Sequence, residues 1–129
     1  MRGFAGFALL VLFPFEVVFG CTCPDIRLAE AFRGAHTVVV GTAGTPKSVD
    51  GRIRVPVACA ISFKGSAKID WVDDTPEDAC GFDMIEGIEY VLFLDSNLNA
   101  LGCAGSHPIR PEERASVLKA LGKIARRKA

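Results

Sequence analysis

Arg52-Ile53-Arg54-Val55-Pro56-Val57-Ala58-Cys59-Ala60-Ile61-Ser62-Phe63-Lys64 is the stretch whose reading decides the fold. Apolar and other residues alternate along it with period two, the pattern of a half-buried strand. Ile53, Val55, Val57, Cys59, Ile61 and Phe63 are therefore expected on one core-facing side, with Arg52, Arg54, Ser62 and Lys64 on the wetter one. Pro56 cannot donate to a ladder, so the strand is expected to run at an edge or through a bulge. Gly65 ends it.

Going outward, the N-terminal side holds Ala43 to Gly51, rich in Gly, Pro and Ser with an Asp-Gly pair. It reads as a loop or hairpin connection. Before it, His36 to Thr42 reads as a strand with Val38 and Val40 on one face and Val39 on the other. Before that, Pro24-Asp25 opens a short helix that Asp25 can cap. Its apolar positions are Ile26, Leu28, Ala29, Ala31 and Phe32, and Gly34 ends it. On the C-terminal side, Lys68 to Val72 reads as a short strand with Ile69 and Trp71 packed. Asp73 to Asp83 is expected as a polar acidic loop containing Cys80-Gly81, and Glu86-Gly87 as a turn. Glu89 to Asp95 is apolar enough for a central strand. Ala100 to Ala104 is expected as a last short strand carrying Cys103, with Pro108 and Pro111 stopping the sheet. Pro111, Glu112 and Glu113 suit the start of a helix whose stripe is Val117, Leu118, Leu121, Ile124 and Ala125. About five short strands with two small helices predict a mainly β, compact barrel or sandwich.

The 129 residues carry 15 Lys plus Arg and 15 Asp plus Glu, a net charge of zero that argues against nucleic acid as the main partner. The charges are segregated. Acids without bases run from Asp70 to Glu89, and bases dominate from Arg110 to Lys128. Such runs are ordinarily solvated faces; the functional alternative is an acidic rim that steers a basic partner.

Residues 1–20 read as a secretory signal: Arg2, an apolar run from Phe4, interruptions at Pro14 and Glu16, and Gly20 before the expected cut. The run is too short and broken for a good membrane span. Cleavage there makes Cys21 the first residue of a mature domain spanning 21–129. A small residue before cysteine is also how bacterial lipoproteins begin, so a lipid anchor at Cys21 is the rival reading, and an uncleaved anchor a weaker one. Either export route leads to a secreted or periplasmic, oxidising location, where disulfides among the five cysteines persist.

Cys21-Thr22-Cys23-Pro24, Ala29-Glu30-Ala31-Phe32, Val38-Val39-Val40-Gly41, Phe63-Lys64-Gly65, Ala79-Cys80-Gly81, Gly87 to Phe93 and Leu101-Gly102-Cys103 follow one another in this order. Together they resemble the netrin-like module, and most of all the N-terminal domain of tissue inhibitors of metalloproteinases. The resemblance covers nearly the whole chain after residue 20. It implies a five-stranded OB-fold-like barrel with a short N-terminal and a C-terminal helix. It also implies bridges Cys21–Cys80 and Cys23–Cys103, which the sequence by itself leaves open. Two departures stand out. Arg33 occupies the place where the family's third bridge begins, and the animal proteins' C-terminal subdomain has no counterpart here. Cys59 is then left over, and reads as a small buried apolar residue or as the site of an intermolecular bridge.

The resemblance implies inhibition of zinc metalloendopeptidases. The α-amine and carbonyl oxygen of Cys21 would chelate the partner enzyme's catalytic zinc at its open position. Thr22 would enter the first specificity pocket, with Cys23 and Pro24 along the groove and Asp78 and Ala79 beside them. The competing readings are a purely structural pair of half-cystines in a non-inhibitory binding module and, more remotely, a Cys-x-Cys metal site. His36 and His107 lie in loop-like contexts and read as surface histidines. Ser62, Ser66 and Ser106 show no nucleophile elbow, Glu77 and Asp78 read as part of the solvated rim, and nothing points to a cofactor. Enzyme is the weakest class.

Overall fold

The computed structural model describes residues 26–65, 68–74, 84–100 and 102–128. In chain order the elements are helix α1 (Leu28–Gly34) and strands β1 (Thr37–Ala43), β2 (Lys47–Val49), β3 (Arg52–Lys64), β4 (Trp71–Asp74), β5 (Glu89–Leu94) and β6 (His107–Pro108). A 3-10 turn at Pro111–Glu113 then leads into helix α2 (Arg114–Lys128).

The sheet runs β2-β3-β1-β5-β6, with β4 pairing β3 off that path. All named pairs are antiparallel. The sheet curls so that the segment after β5 returns to β4. Asp73 bridges Asn99 in parallel and Leu94 bridges Ala100. The N–H of Asp73 donates to Leu98 O at 2.9 Å, and the N–H of Ala100 donates to Asp73 O at 2.9 Å. The circuit β1–β3–β4–(99–100)–β5–β1 is the expected mainly β, OB-fold-like barrel, and its seam consists of single-residue bridges.

The expected alternations place the two cores. Inside the barrel lie Val39, Ala43, Val55, Val57, Ile69, Val72, Met84, Tyr90, Leu92, Leu94 and Ala100. On the outer face, Val38, Val40, Val91 and Phe93 pack under Ala31 and Phe32 of α1 and Leu121 of α2. β1 and β5 are thus apolar on both faces because one faces the barrel and the other the helices. The α2 stripe is as expected: Val117, Leu118, Ile124 and Ala125 join Leu121 against the sheet. In α1 only Ala31 and Phe32 are fully buried, Leu28 is partly so, and Ile26 and Ala29 are exposed. The helix is capped at Arg27, whose N–H donates to Glu30 at 3.2 Å. Asp25, the expected cap, lies outside the described residues.

β3 departs from the single-faced reading. Its register against β1 slips twice, between Val40 and Gly41 and between Val38 and Val39. Cys59 stands opposite Gly41 but Ile61 opposite Val40, and Ser62 opposite Val39 but Lys64 opposite Val38. Each extra residue reverses the parity of the alternation. Ile53, Val55, Val57 and Cys59 face the barrel, whereas Phe63 is delivered to the helix layer.

Among the connections, Ala43 to Gly51 takes the hairpin form of the two expected: it contains β2, which pairs with Arg52–Arg54 through a tight turn. Asp50 (φ 52°) and Gly51 (φ 79°) form its turn, the left-handed pair that a two-residue hairpin requires. Other connections differ from expectation. Asp73 and Asp74 are strand residues, 1% and 3% exposed, rather than the start of a solvated loop. Cys103 sits in a 3-10 turn, Gly102–Ala104, not a strand. Pro108 does not stop the sheet: with His107 it forms β6 on the edge of β5, where its missing N–H is harmless.

Candidate functional site

Cys21, Thr22, Cys23, Pro24, Asp78, Ala79 and Cys80, the residues on which the sequence reading rests, lie outside the described residues. What the structure places is the frame around them. Asp74 and Met84 flank the segment 75–83, and they meet: an Asp74 carboxylate oxygen accepts the Met84 N–H at 3.3 Å. One residue on, the Ile85 N–H donates to the Tyr90 hydroxyl at 2.7 Å. Tyr90 is buried in the barrel, so the return of the chain is fixed to the core.

Asp73 anchors the other side of β4. Its carboxylate accepts Arg52 Nη1 and Arg54 Nε, each at 3.2 Å, and the Arg54 guanidinium lies 3.6 Å from the centroid of the Trp71 ring. A carboxylate this buried needs such partners, because desolvating an unpaired charge is costly. The arginines come from alternate positions of β3, which is why Arg52 and Arg54 share a face.

The cysteines divide into two kinds. Cys103 is disulfide-bonded, and the pairing it makes lies outside the described residues. The residue two places on, Gly105, packs tightly: a Cβ there would stand 2.8 Å from Ala31 Cβ and 3.1 Å from a Phe93 ring carbon. Gly105, two residues past Cys103, is thereby held against α1 and β5. Cys59 is free. Its thiol donates to Ile69 O at 3.4 Å, and burial pushes its pKa up, with the nearby Asp70 charge adding to the rise. Such a thiol is a poor nucleophile, since the thiolate is the reactive form.

Several other polar side chains among the described residues bond the fold. Ser106 is buried, accepts the Phe93 N–H at 2.7 Å and donates to Phe93 O at 3.2 Å. Ser62 donates to Gly65 O. His36 Nδ1 lies 3.2 Å from Thr37 Oγ1 and His107 Nδ1 lies 2.7 Å from Gly105 O, so each ring is held by its own loop. Among the described residues no group of three His, Cys, Asp or Glu is placed to hold a metal ion, and no helix is long and apolar enough to cross a membrane.

One surface feature escapes the sequence reading. Ile85 and Ile88 flank the Glu86-Gly87 turn at 62% and 38% exposure. The turn is nonetheless rigidly placed: Ala43 N–H donates to Ile88 O at 3.0 Å and Gly87 N–H to Ala43 O at 2.8 Å. Beside it lies an open groove of about 380 Å³ lined by Thr42, Ala43, Gly44, Pro56, Val57, Ala58 and Asp70. Isoleucine on both sides of a turn carries no periodic signal, so only the fold shows that these two are left uncovered. No protein-family model matches the chain, and no curated protein matches it.

Proposed function

We propose that this chain is an exported, TIMP-like inhibitor of zinc metalloendopeptidases, in which the free N-terminus of mature Cys21 chelates the enzyme's zinc. The observation that carries the reading is the division of the cysteines: Cys103 is bonded and Cys59 is not. A barrel with a bonded Cys103 is compatible with such a mechanism, because a tethered chain end loses little freedom on binding. The amine nitrogen and carbonyl oxygen of Cys21 would fill the open zinc position as a five-membered chelate. Thr22, short and β-branched, would enter the adjacent pocket with little selectivity. Asp78 and Ala79 would lie alongside as a second contact segment.

The test is the chain end. Mass spectrometry of the exported protein should find an unmodified amine on Cys21, and peptide mapping without reduction should find Cys21–Cys80 and Cys23–Cys103. One alanine added before Cys21 should abolish inhibition of a zinc endopeptidase while leaving the fold intact. Equal inhibition by the extended protein refutes chelation by the terminus. A second reading, a non-inhibitory netrin-like binding module that is secreted or lipid-anchored through Cys21, draws support from the Ile85–Ile88 turn and its groove. An acylated Cys21 would decide for it.

A further inference from the structure

We propose that the outer face of α2 is a docking surface for a linear polyuronate, a stiff polysaccharide with one carboxylate on each sugar. The C-terminal bases fall into two groups. Arg110 lies 3.4 Å from Glu113 and 3.7 Å from Glu112, and Arg114 lies 2.9 Å from Glu89. These two are neutralised locally. Lys119, Lys123, Arg126 and Arg127 are exposed, and among the described residues no carboxylate comes within 4.0 Å of any of them. Four unpaired cations on one element call for an anionic ligand.

Their arrangement is a row. Lys119, Lys123 and Arg127 repeat every four residues, roughly 6 Å apart along the axis, and Arg126 stands beside that line. Between and beside them the helix carries only small residues, Ser116, Ala120 and Gly122, so an extended chain can lie close to it. Arg126 Nη1 comes 3.4 Å from the point where a Gly122 Cβ would stand, so its guanidinium lies back along the helix over the glycine. Guanidinium forks suit carboxylates, which they bind bidentately. A repeat of this size is comparable with the length of one sugar unit, which matches one carboxylate per sugar to one cation per turn.

What the face lacks selects the polysaccharide among polyanions. An interfacial helix binds a bilayer through an apolar face, and that of α2 is spent on the sheet, where Val117, Leu118, Leu121, Ile124 and Ala125 pack. Single-stranded nucleic acid needs aromatic rings on which its bases stack, and α2 has none. A protein partner needs an apolar or aromatic anchor and a pocket for it, and this face is cations and small residues only. A flexible acidic peptide must also be ordered before it can follow the row, whereas a stiff chain already holds its carboxylates at a fixed repeat. The proposal goes beyond the chelation reading. An alanine before Cys21 should leave polyuronate binding unchanged, so the two fail separately.

The experiment is isothermal titration of the protein with oligogalacturonate long enough to span the four cations, about 12 Å of helix axis. Its methyl ester, which keeps the sugars and lacks the charge, is the control. The acid should bind at low salt and the ester should not, and binding should collapse at high salt. An exposed ion pair strengthens binding by about two- to fivefold. Lys119→Gln/Lys123→Gln and Arg126→Gln/Arg127→Gln should therefore each lose roughly 4- to 25-fold. The quadruple variant should not bind, and Lys47→Gln on β2 should bind as the parent does. Glutamine keeps helix propensity, and the two double variants carry the test should the quadruple variant fail to fold. No binding by the parent protein, or full binding retained in a folded double variant, overturns the proposal. So does an affinity for polyglutamate, oligothymidylate or phosphatidylglycerol vesicles that equals or exceeds that for oligogalacturonate at the same concentration of anionic groups.

Discussion

Removing the Asp73 carboxylate tests how the barrel is held shut. Asp73 sits on the seam: its backbone bonds to Leu98 and Ala100, and its side chain, 1% exposed, bonds Arg52 and Arg54. Hydrogen bonds to charged groups are worth about 1.5–3 kcal/mol each. The two arginines are unequal, however. Arg52 is 58% exposed and its bond is largely screened, whereas Arg54 is 32% exposed and also stacks on Trp71. The Arg52 bond is accordingly worth about 0.5–1 kcal/mol. The Arg54 bond with its ring contact is worth about 2–3 kcal/mol. Asp73→Ala should therefore cost about 3 kcal/mol, Arg54→Ala about 2–3, and Arg52→Ala under about 1. In Asp73→Ala both arginines can reach water, which keeps the loss at the lower end of that for a broken buried pair. Equilibrium urea unfolding of the oxidised protein, read as midpoint at constant slope, measures all three. Equal losses for Arg52→Ala and Arg54→Ala, or a loss below about 1 kcal/mol for Asp73→Ala, would refute this account of the seam.

Other outcomes follow from single contacts. Gly41→Ala places a methyl 2.6 Å from Val57 Cγ1 and 2.9 Å from Ala58 O, so it should destabilise by about 1–3 kcal/mol; a neutral effect would mean the bulge can slide. Leu121→Ala, at a site 0% exposed between α2 and the sheet, should cost about 2–5 kcal/mol, measured by the same unfolding curve. Cys59 should react slowly with a disulfide reagent in the native state and rapidly once unfolded; fast native labelling would contradict its raised pKa. Burial alone would raise the pKa of Asp95, but the N–H and side-chain amide of Asn99, the N–H of Asn97 and the His36 charge lower it below 3.8. Stability from this group is present above that value and is lost as pH falls through its lower native pKa, so Asp95→Asn should flatten the acid limb of the stability profile, and an unchanged limb would argue against those bonds.

The strands and the second helix were legible because their burial is periodic. Val38 to Val40, Tyr90 to Leu94 and the Val117 to Ala125 stripe each announce two faces or one, and the structure uses them so. β3 misled where the chain inserts extra residues. Ala60 and Phe63 look like ordinary members of an alternation, and only the register against β1 shows that the parity has changed. The seam was illegible for a different reason. Asp73 and Asp74 are polar residues that in isolation signal a loop, and their burial depends on Arg52, Arg54 and Met84, which are remote in sequence. Of the candidate site, sequence order supplied a chain end and four half-cystines; Cys103 alone of these falls among the described residues.

The charge runs show why a sequence of like charges is not yet a field. Read along the chain, the acidic stretch and the basic tail balance. In the fold, Asp73 turns inward to two arginines of β3, Asp74 is buried against the Met84 amide, and Glu89 is taken by Arg114. Each of these acids spends its field within the molecule. The C-terminal bases split the other way: Arg110 and Arg114 are paired, and among the described residues no carboxylate pairs Lys119, Lys123, Arg126 or Arg127. A steering field is set by the charges left over after local neutralisation. On the described residues, the bases of that remainder gather on the outer face of α2, and its acids include the exposed Asp70 and Glu86. Long-range encounter at the α2 face is therefore governed by attraction to anions, while contact at the Ile85–Ile88 turn and its groove would combine apolar burial with the exposed charges of Glu86 and Asp70.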